Sequence, residues 1–227
     1  MNNKHLNIVA FDVPFPPNYG GSIDIFYKLK TLHKLNIKII LHCFEYGRGK
    51  QNELEKYCEF VYYYKRTTTM KNIVSNLPFT INTRKNIELE INLKSNNYPI
   101  LFEGLHTTFS LIKNSFEDRT LIIRAHNIEH NYYKGLSKSE TNIIKKLYFS
   151  SERIKIKTYQ KIFKKVNYIL SISPLEHTYF SFKYPKKSIY IPAFHEHSEV
   201  KSRIGKGKFA LYHGNLKISD NLKACFH

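Results

Sequence analysis

The stretch LNIVAFDVPFPPNYGGSIDIFY, residues 6–27, joins an apolar run of strand length to a loop with prolines and glycines and then to a helix. Apolar residues recur at helical spacing after Ser22, which can serve as the helix N-cap. Glycines at a strand-to-helix turn let a ligand approach backbone N–H groups, and a helix N-terminus favours negative charge. Gly20 and Gly21 are therefore candidates for binding a nucleotide diphosphate, with ordinary turn chemistry as the alternative.

Seven more apolar runs of strand length follow, and helical or polar segments separate them. Because the runs are apolar on both faces and alternate with helices, they predict an α/β, Rossmann-like parallel sheet with helices on both faces. The predicted strands are 6–11, 37–44, 60–64, 99–102, 120–125, 168–172, 188–191 and 209–213. The predicted helices are 22–35, 51–57, 108–114, a long basic helix over 138–166 and one that opens at Pro174, while 65–96 is weakly helical and broken at Pro78.

The composition limits the functional classes. No apolar run approaches the ~20 residues of a membrane span, and the polar N-terminus runs directly into the first strand, so we predict no signal peptide. The three cysteines are far apart, which favours reduced thiols in the cytoplasm over a disulfide framework or a zinc site. The net charge of +18 fits solvated lysines, an anionic membrane surface or an anionic substrate. We predict no nucleic-acid partner, because no nucleic-acid-binding motif accompanies the charge.

Polar side chains follow several of the predicted strands where each strand ends. In a parallel sheet these positions share one edge, which is where ligands bind. We therefore expect these side chains to line a common site. They are Gly20 and Gly21 after the first strand, Glu103 and His106 after the fourth, Arg124, His126, Asn127 and Glu129 after the fifth, and Ser173 and Glu176 after the sixth.

The segment HNIEH, residues 126–130, matches the H-x-x-E-H pattern of inverted zinc peptidases. On a helix, His126 and His130 would share a face and a metal, with Glu129 as general base. The segment follows directly on a strand, however, which argues against that class. Helix capping and substrate binding are the other interpretations; a neutral imidazole can donate to a sugar hydroxyl, and Arg124 can offset phosphate charge.

Four segments in this order resemble the amino-terminal half of a bacterial family-4 type retaining glycosyltransferase with two facing Rossmann-like domains, the GT-B architecture. They are VAFDVPFPPNYGGSIDIFYKLKTLHKL, RAHNIEH, ISPLEHTYF and YHGNL. The resemblance implies a nucleotide-diphosphate sugar donor, a saccharide or lipid-linked acceptor, and no cofactor or metal. It also implies that His126 reaches the donor sugar, and that Gly20, Gly21, Gly214 and Asn215 approach the diphosphate from two sides. Glu103, His106, Arg124, Asn127, Glu129, Ser173 and Glu176 would contact the acceptor or support these loops.

The domain organisation departs from that family. We expect an acceptor-side domain over 1–194, a linker over 195–207 and only the start of a donor-binding domain over 208–227. Departure of a diphosphate needs charge stabilisation in a closed cleft, and half a cleft does not supply it. We therefore expect the chain alone to have little transferase activity. The alternative function is a non-catalytic domain that binds a carbohydrate, a lipid acceptor or a partner; a zinc peptidase is the third hypothesis.

The predicted basic helix carries an apolar stripe and many lysines between Lys145 and Lys165. A crossover helix with a solvated lysine face accounts for this pattern. The same pattern is typical of a helix that docks on anionic lipid, so the localisation that we predict is cytoplasmic or peripheral on the inner face of the membrane.

Overall fold

The computed structural model describes residues 4–114, 116–197, 199–201, 204–209, 211–212, 216 and 219–225. Seven strands form one sheet in which every neighbouring pair is parallel, in the order β3-β2-β1-β4-β5-β6-β7. The strands are β1 (His5–Ala10), β2 (Lys38–Glu45), β3 (Phe60–Lys65), β4 (Ile100–Glu103), β5 (Leu121–Ala125), β6 (Tyr168–Ser171) and β7 (Ser188–Tyr190). The helices are α1 (Gly20–Lys34), α2 (Met70–Val74), α3 (Phe79–Asn82), α4 (Ile87–Lys94), α5 (Ser110–Lys113), α6 (Glu129–Ser139), α7 (Ile143–Tyr159), α8 (Pro174–Lys183) and α9 (Ser219–Ala224).

The sheet separates two apolar cores. Along β4, Leu101 packs into one cluster while Ile100 and Phe102 pack into the other, because successive side chains point to opposite faces of a strand. The first cluster holds α1 through Ile25, and the second holds α8 through Phe180. The predicted α/β sheet with helices on both faces is therefore confirmed.

The strand order reverses next to β1. The chain runs outward from β1 to β2 and β3 on one side, then returns to place β4 on the other side. A crevice opens at such a switch point, beyond the carboxyl ends of the strands. The loop from residue 11 to residue 19, which leads into α1, lies at that end of β1.

Two helix predictions were wrong in their limits. The single helix over 138–166 is instead the end of α6, then α7, then a 3-10 turn over Gln160–Lys165. The break occurs because Glu140 is extended and its carboxylate accepts the backbone N–H groups of residues 141 and 142, while Asn142 caps α7. The helix α1 begins at Gly20 rather than after Ser22, so Ser22 lies inside its first turn.

The predicted strand over 209–213 was also wrong for the residues that the structure describes there. Phe209, Leu211 and Tyr212 lie in no strand, and the chain continues into α9. Within the described ranges, no helix is both long and apolar enough to cross a bilayer.

Candidate functional site at the switch point

A buried charge cluster lies under the carboxyl ends of β4 and β5. Lys28 on α1 places its Nζ 3.0 Å from Asp24 Oδ2 and 2.6 Å from Glu103 Oε1. All three side chains are almost completely buried. Burial, the largest single effect, would raise the pKa of both carboxyls, but Lys28 together with Arg124 at Asp24 and His126 at Glu103 holds both pKa values below their usual range. Arg124 reinforces the effect on Asp24, and both carboxylates are therefore ionised at neutral pH.

Arg124 is a supporting residue rather than a ligand contact. Its guanidinium is fully buried and pairs with Asp24, with Nη2 3.0 Å from Oδ1. It also donates to the carbonyl oxygens of Ile191 and Pro192, at 2.6 and 2.9 Å. The N–H of Phe194 donates to the same Asp24 carboxylate, at 2.8 Å. Because these partners occupy the guanidinium, Arg124 anchors the segment that leaves β7.

His126 is held by Glu103. Glu103 is the last residue of β4, His126 directly follows the neighbouring parallel strand β5, and Nε2 of His126 lies 3.1 Å from Oε2 of Glu103. Because Glu103 is an ionised acceptor, Nε2 of the neutral imidazole is the protonated nitrogen and Nδ1 carries the lone pair. In this tautomer His126 can accept a hydrogen bond from a hydroxyl through Nδ1. From the sequence we expect the neutral ring to donate to a sugar hydroxyl, so the direction of that expected hydrogen bond is reversed.

Asp24, Glu103 and His126 place ligand atoms within 4.8 Å of one another. In this cluster the Lys28 ammonium already bonds both carboxylates, so a positive charge is present where a cation would sit. His130 is not part of the cluster, and its ring lies 5.9 Å from that of Tyr179. The zinc-peptidase pairing of His126 with His130 fails because α6 begins only at Glu129, so the two histidines do not share a helix.

A cavity of about 370 Å³ opens above this cluster. Gly21, in the first turn of α1, forms part of its wall, and a Cβ atom built there would lie 2.5 Å from Cζ of Phe11. A Cβ atom at Gly20 would meet nothing within 4 Å. The absence of a side chain at Gly21 therefore leaves room for the Phe11 ring at the cavity wall. The lining residues are Phe11, Tyr19, Gly21, His106, His126, Asn127, Glu129, Tyr132 and Tyr133.

The far wall of the cavity carries two groups with shifted pKa values. Burial, aided by the charge of Arg84, lowers the pKa of His106 to about 3, so the ring is neutral. Burial raises the pKa of Glu129 to about 7, with its Oε2 3.7 Å from His106 Nε2. Gly104 has φ +75°, and a Cβ there would lie 3.0 Å from His106 Nδ1, which explains glycine at this turn. At neutral pH the His106 ring is therefore uncharged, and the Glu129 carboxyl is only partly ionised.

Two of the predicted site residues, Ser173 and Glu176, form a helix cap and do not line the cavity. Ser173 is the N-cap of α8: its hydroxyl accepts the N–H of Glu176 and donates to the Glu176 carboxylate. This pair shapes the turn after β6 rather than the cavity wall. Gly214 and Asn215 lie outside the described residues.

Sequence reasoning missed several residues of the site. Asp24 and Lys28 stand four apart on the buried side of α1, and a charged pair among apolar neighbours was the available signal. Phe11 and Tyr19 were quoted within the opening stretch but were not assigned to the site. Tyr19 is fixed by its hydroxyl, which donates to Asp12 Oδ2 at 2.8 Å.

No protein-family model matches the chain. The "Uncharacterized 44.6 kDa protein in cps region" of Klebsiella pneumoniae is 30% identical over 225 residues, which covers 95% of this chain and 55% of that protein. Among solved structures, a UDP-glucosyltransferase from Polygonum tinctorium capable of glucosylating indoxyl superposes with a TM-score of 0.51 at 8% identity, over 92% of this chain and 56% of that one. Phytolacca americana UGT2, complexed with UDP-2fluoro-glucose and pterostilbene, gives 0.49 at 9% identity, over 83% and 53%.

These likenesses concern the fold. The chain spans about half the length of each protein that it matches. At such low identity to the solved structures, only the architecture is shared. The chain has the Rossmann-like α/β fold, a seven-stranded parallel sheet covered by helices, that also occurs in UDP-dependent glycosyltransferases of the GT-B type.

Proposed function

We propose that this chain is the acceptor-side domain of a glycosyltransferase that moves a hexose-type sugar from a nucleotide-diphosphate donor to a saccharide or lipid-linked acceptor. The observation that carries the proposal is the cavity at the switch point, where Gly21 of a helix N-terminus faces the same space as His126. The GT-B likeness and the cps-region relative support it. The family-4 assignment and retention of anomeric configuration belong to the same proposal and rest on the sequence resemblance.

In this proposal His126 contacts the donor sugar. Glu103 bonds Nε2 of the imidazole and so leaves Nδ1 as the acceptor. The Lys28 ammonium, paired with the same carboxylate, favours its ionised form. A side chain whose orientation is fixed in advance loses little freedom when the substrate binds. The first N–H groups of a helix lack intrahelical partners, so those of Gly20 and Gly21 can approach the diphosphate.

The charge of the leaving diphosphate must be stabilised from elsewhere. Of the described residues that line the cavity, none is lysine or arginine. Transferase chemistry needs preorganised positive groups where negative charge develops. We therefore propose that Gly214 and Asn215, with a donor-binding domain of the kind that the resemblance implies, close the cleft over the donor. The chain alone is expected to bind donor weakly and to turn over little or none.

A second candidate function is a non-catalytic domain that binds a carbohydrate, a lipid acceptor or a partner. The aromatic character of the cavity favours it, because Phe11, Tyr19, Tyr132 and Tyr133 present ring surface of the kind that packs against sugars. The cavity would then hold a neutral saccharide and have no need of diphosphate contacts.

The test is a titration of the chain with nucleoside diphosphates and their sugar conjugates, followed by nuclear magnetic resonance, with and without EDTA. The expected result is binding in the roughly millimolar range, unchanged by EDTA, with shifts at Gly21 and His126. Binding of oligosaccharides at these residues without any response to nucleotides would replace the transferase by the carbohydrate-binding domain. Binding that EDTA abolishes would contradict the prediction that the site needs no metal or other cofactor.

The cytoplasmic location predicted from the cysteines is part of this proposal. Cys43 and Cys58 are free and buried, and Cys225 is free and exposed. Burial raises the pKa of the Cys58 thiol to about 12, which keeps it protonated and unreactive.

A further inference from the structure

A row of apolar side chains projects into solvent from α7, on the face of the molecule away from α1. Ile143, Leu147 and Ile154 are 73%, 66% and 67% exposed. These positions follow helical spacing, so they share one side of the helix. Met70 and Val74 on the neighbouring α2 are exposed as well. We call these five residues, together with Lys146, Lys157 and Lys161, the α2/α7 surface.

This surface is held rigidly in place. On the inner side of α7, Glu152 is fully buried and accepts the N–H of Phe79 at 2.7 Å. Lys155 joins Glu152 to the carbonyl oxygen of Ile73, at 2.9 and 2.8 Å, and so ties α2 to α7. Because Glu152 and Ile156 point into the core, the opposite side of α7 must point outward. The exposed row is therefore a built feature of the fold rather than the result of a loosely packed helix.

The charge around the row has one sign. Residues 141–165 contain eight lysines and arginines and a single acidic residue, Glu152, which is buried and already paired. Among the ion pairs of the described residues, none involves Lys146, Lys157 or Lys161. Exposed aliphatic side chains with free lysines beside them are the two components of interfacial membrane binding.

A cavity of about 380 Å³ lies at the carboxyl-terminal end of the same helix. Its walls combine apolar side chains of Leu77 and Ile162 with Lys161 and Lys165. Lys165 donates to the carbonyl oxygen of Leu111 at 2.7 Å, which leaves Lys161 as a free cation at this cavity. An apolar wall next to a free ammonium suits an anionic amphiphile better than a purely polar ligand.

We propose that the α2/α7 surface docks on an anionic lipid bilayer, with the apolar row inserted among the lipids and the lysines against the phosphates. A second copy of this chain is disfavoured as the occupant, because a two-fold contact would bring two positive surfaces together. Lysine stems can lie along apolar surface while their ammonium groups reach the head groups. This inference does not depend on the proposed function, since none of the residues of the α2/α7 surface lines the cavity at the switch point.

The test is co-sedimentation of the 227-residue chain with two kinds of vesicle. One is phosphatidylcholine alone, and the other contains about 30% phosphatidylglycerol as the anionic lipid. Leu147→Glu removes apolar contact, and its control is Leu175→Glu, because Leu175 on α8 is 71% exposed. Lys146→Glu with Lys157→Glu removes charge, and its control is Lys4→Glu with Lys34→Glu. Both pairs change the net charge equally, and Lys34 lies on α1, across the sheet.

The expected result is binding only to the anionic vesicles, weakened by salt. Each surface lysine near the lipid should contribute about fivefold to partitioning, so the α7 pair should lower it by at least about twentyfold. Leu147→Glu should lower it about tenfold, and neither control should change it more than about twofold. Equal losses in the controls, or no binding to anionic vesicles, would overturn the proposal. A concentration-dependent dimer abolished by Leu147→Glu would overturn it in favour of a second copy.

Discussion

Lys28 Nζ lies 2.6 Å from Glu103 Oε1, and both side chains are buried between α1 and the sheet. This contact joins the helix that follows β1 to the residue that ends β4, across the point where the strand order reverses. Glu103 also bonds Nε2 of His126. Asp24, the second partner of Lys28, accepts the N–H of Phe194 in the segment that leaves β7. One ammonium group thus links the candidate site to the end of the sheet.

Replacing Lys28 by methionine should strongly destabilise the fold. The change leaves Glu103 without its main counter-charge, and removing one partner of a buried ion pair costs about 3–5 kcal/mol. The measurement is the free energy of unfolding in denaturant at pH 7. Lys34→Met, on the exposed side of the same helix, should change it by less than about 0.5 kcal/mol. A loss below about 1 kcal/mol for Lys28→Met would contradict a structural role for the ammonium.

Replacing Glu103 by glutamine should allow His126 to adopt either neutral tautomer. In the native chain the carboxylate accepts from Nε2–H, whereas the glutamine amide can either donate or accept. Ring nitrogen chemical shifts should show His126 predominantly as the Nε2–H form in the native chain and as a mixture in the variant. Glu55→Gln, on an exposed turn, is the control and should leave the His126 signals unchanged. A native ring in the Nδ1–H form would contradict the assigned geometry.

Stability should fall as the pH drops below about 6.5, with His42 as one source. Burial, with a smaller effect of Arg119, lowers the pKa of His42 to about 3. Tyr64 and Asn7 bond its two ring nitrogens. Between these pH values the unfolded chain takes up a proton that the folded chain refuses. His42 alone should therefore cost about 2 kcal/mol between pH 7.5 and 5.

The measurement is the pH dependence of unfolding for the native chain and for His42→Gln. His106 acts in the same direction as His42, while Glu129, whose pKa is raised to about 7, becomes more favourable to folding as the pH falls. Comparing the variant with the native chain cancels both contributions. His42→Gln should flatten the profile by about 2 kcal/mol, and replacement of exposed His195 should not. An unchanged profile in His42→Gln would show that the folded ring takes up a proton as readily as the unfolded one, and would contradict the lowered pKa.

Much of the fold could be predicted because its strands are short apolar runs, and parallel central strands are apolar on both faces. β4 shows this, with Leu101 and Phe102 buried on opposite sides. The break at Glu140 was not foreseen, because helical periodicity continues across it and the turn depends on local hydrogen bonds to one carboxylate. Such bonds compete with the helix without altering the apolar pattern.

The candidate site was predicted in part for a related physical reason. Residues at the ends of parallel strands meet at one edge, so Glu103 and His126 could be grouped from their positions alone. The interior contacts of Arg124 could not be foreseen, because they depend on Asp24 and on carbonyls of residues 191 and 192. An arginine near the end of a strand has the same sequence appearance whether it faces a ligand or the core.

The measurement that tests the central proposal most directly is nucleotide-sugar binding by Gly21→Ala and Gly20→Ala. A Cβ at Gly21 would lie 2.5 Å from Cζ of Phe11, so the ring at the cavity wall would have to shift, whereas a Cβ at Gly20 meets open space. The account predicts that Gly21→Ala weakens the binding of a nucleotide-diphosphate sugar at least tenfold, about 1.4 kcal/mol, while Gly20→Ala binds as the native chain does. Equal binding by the two variants, with both folded, would contradict a donor site at this end of the sheet.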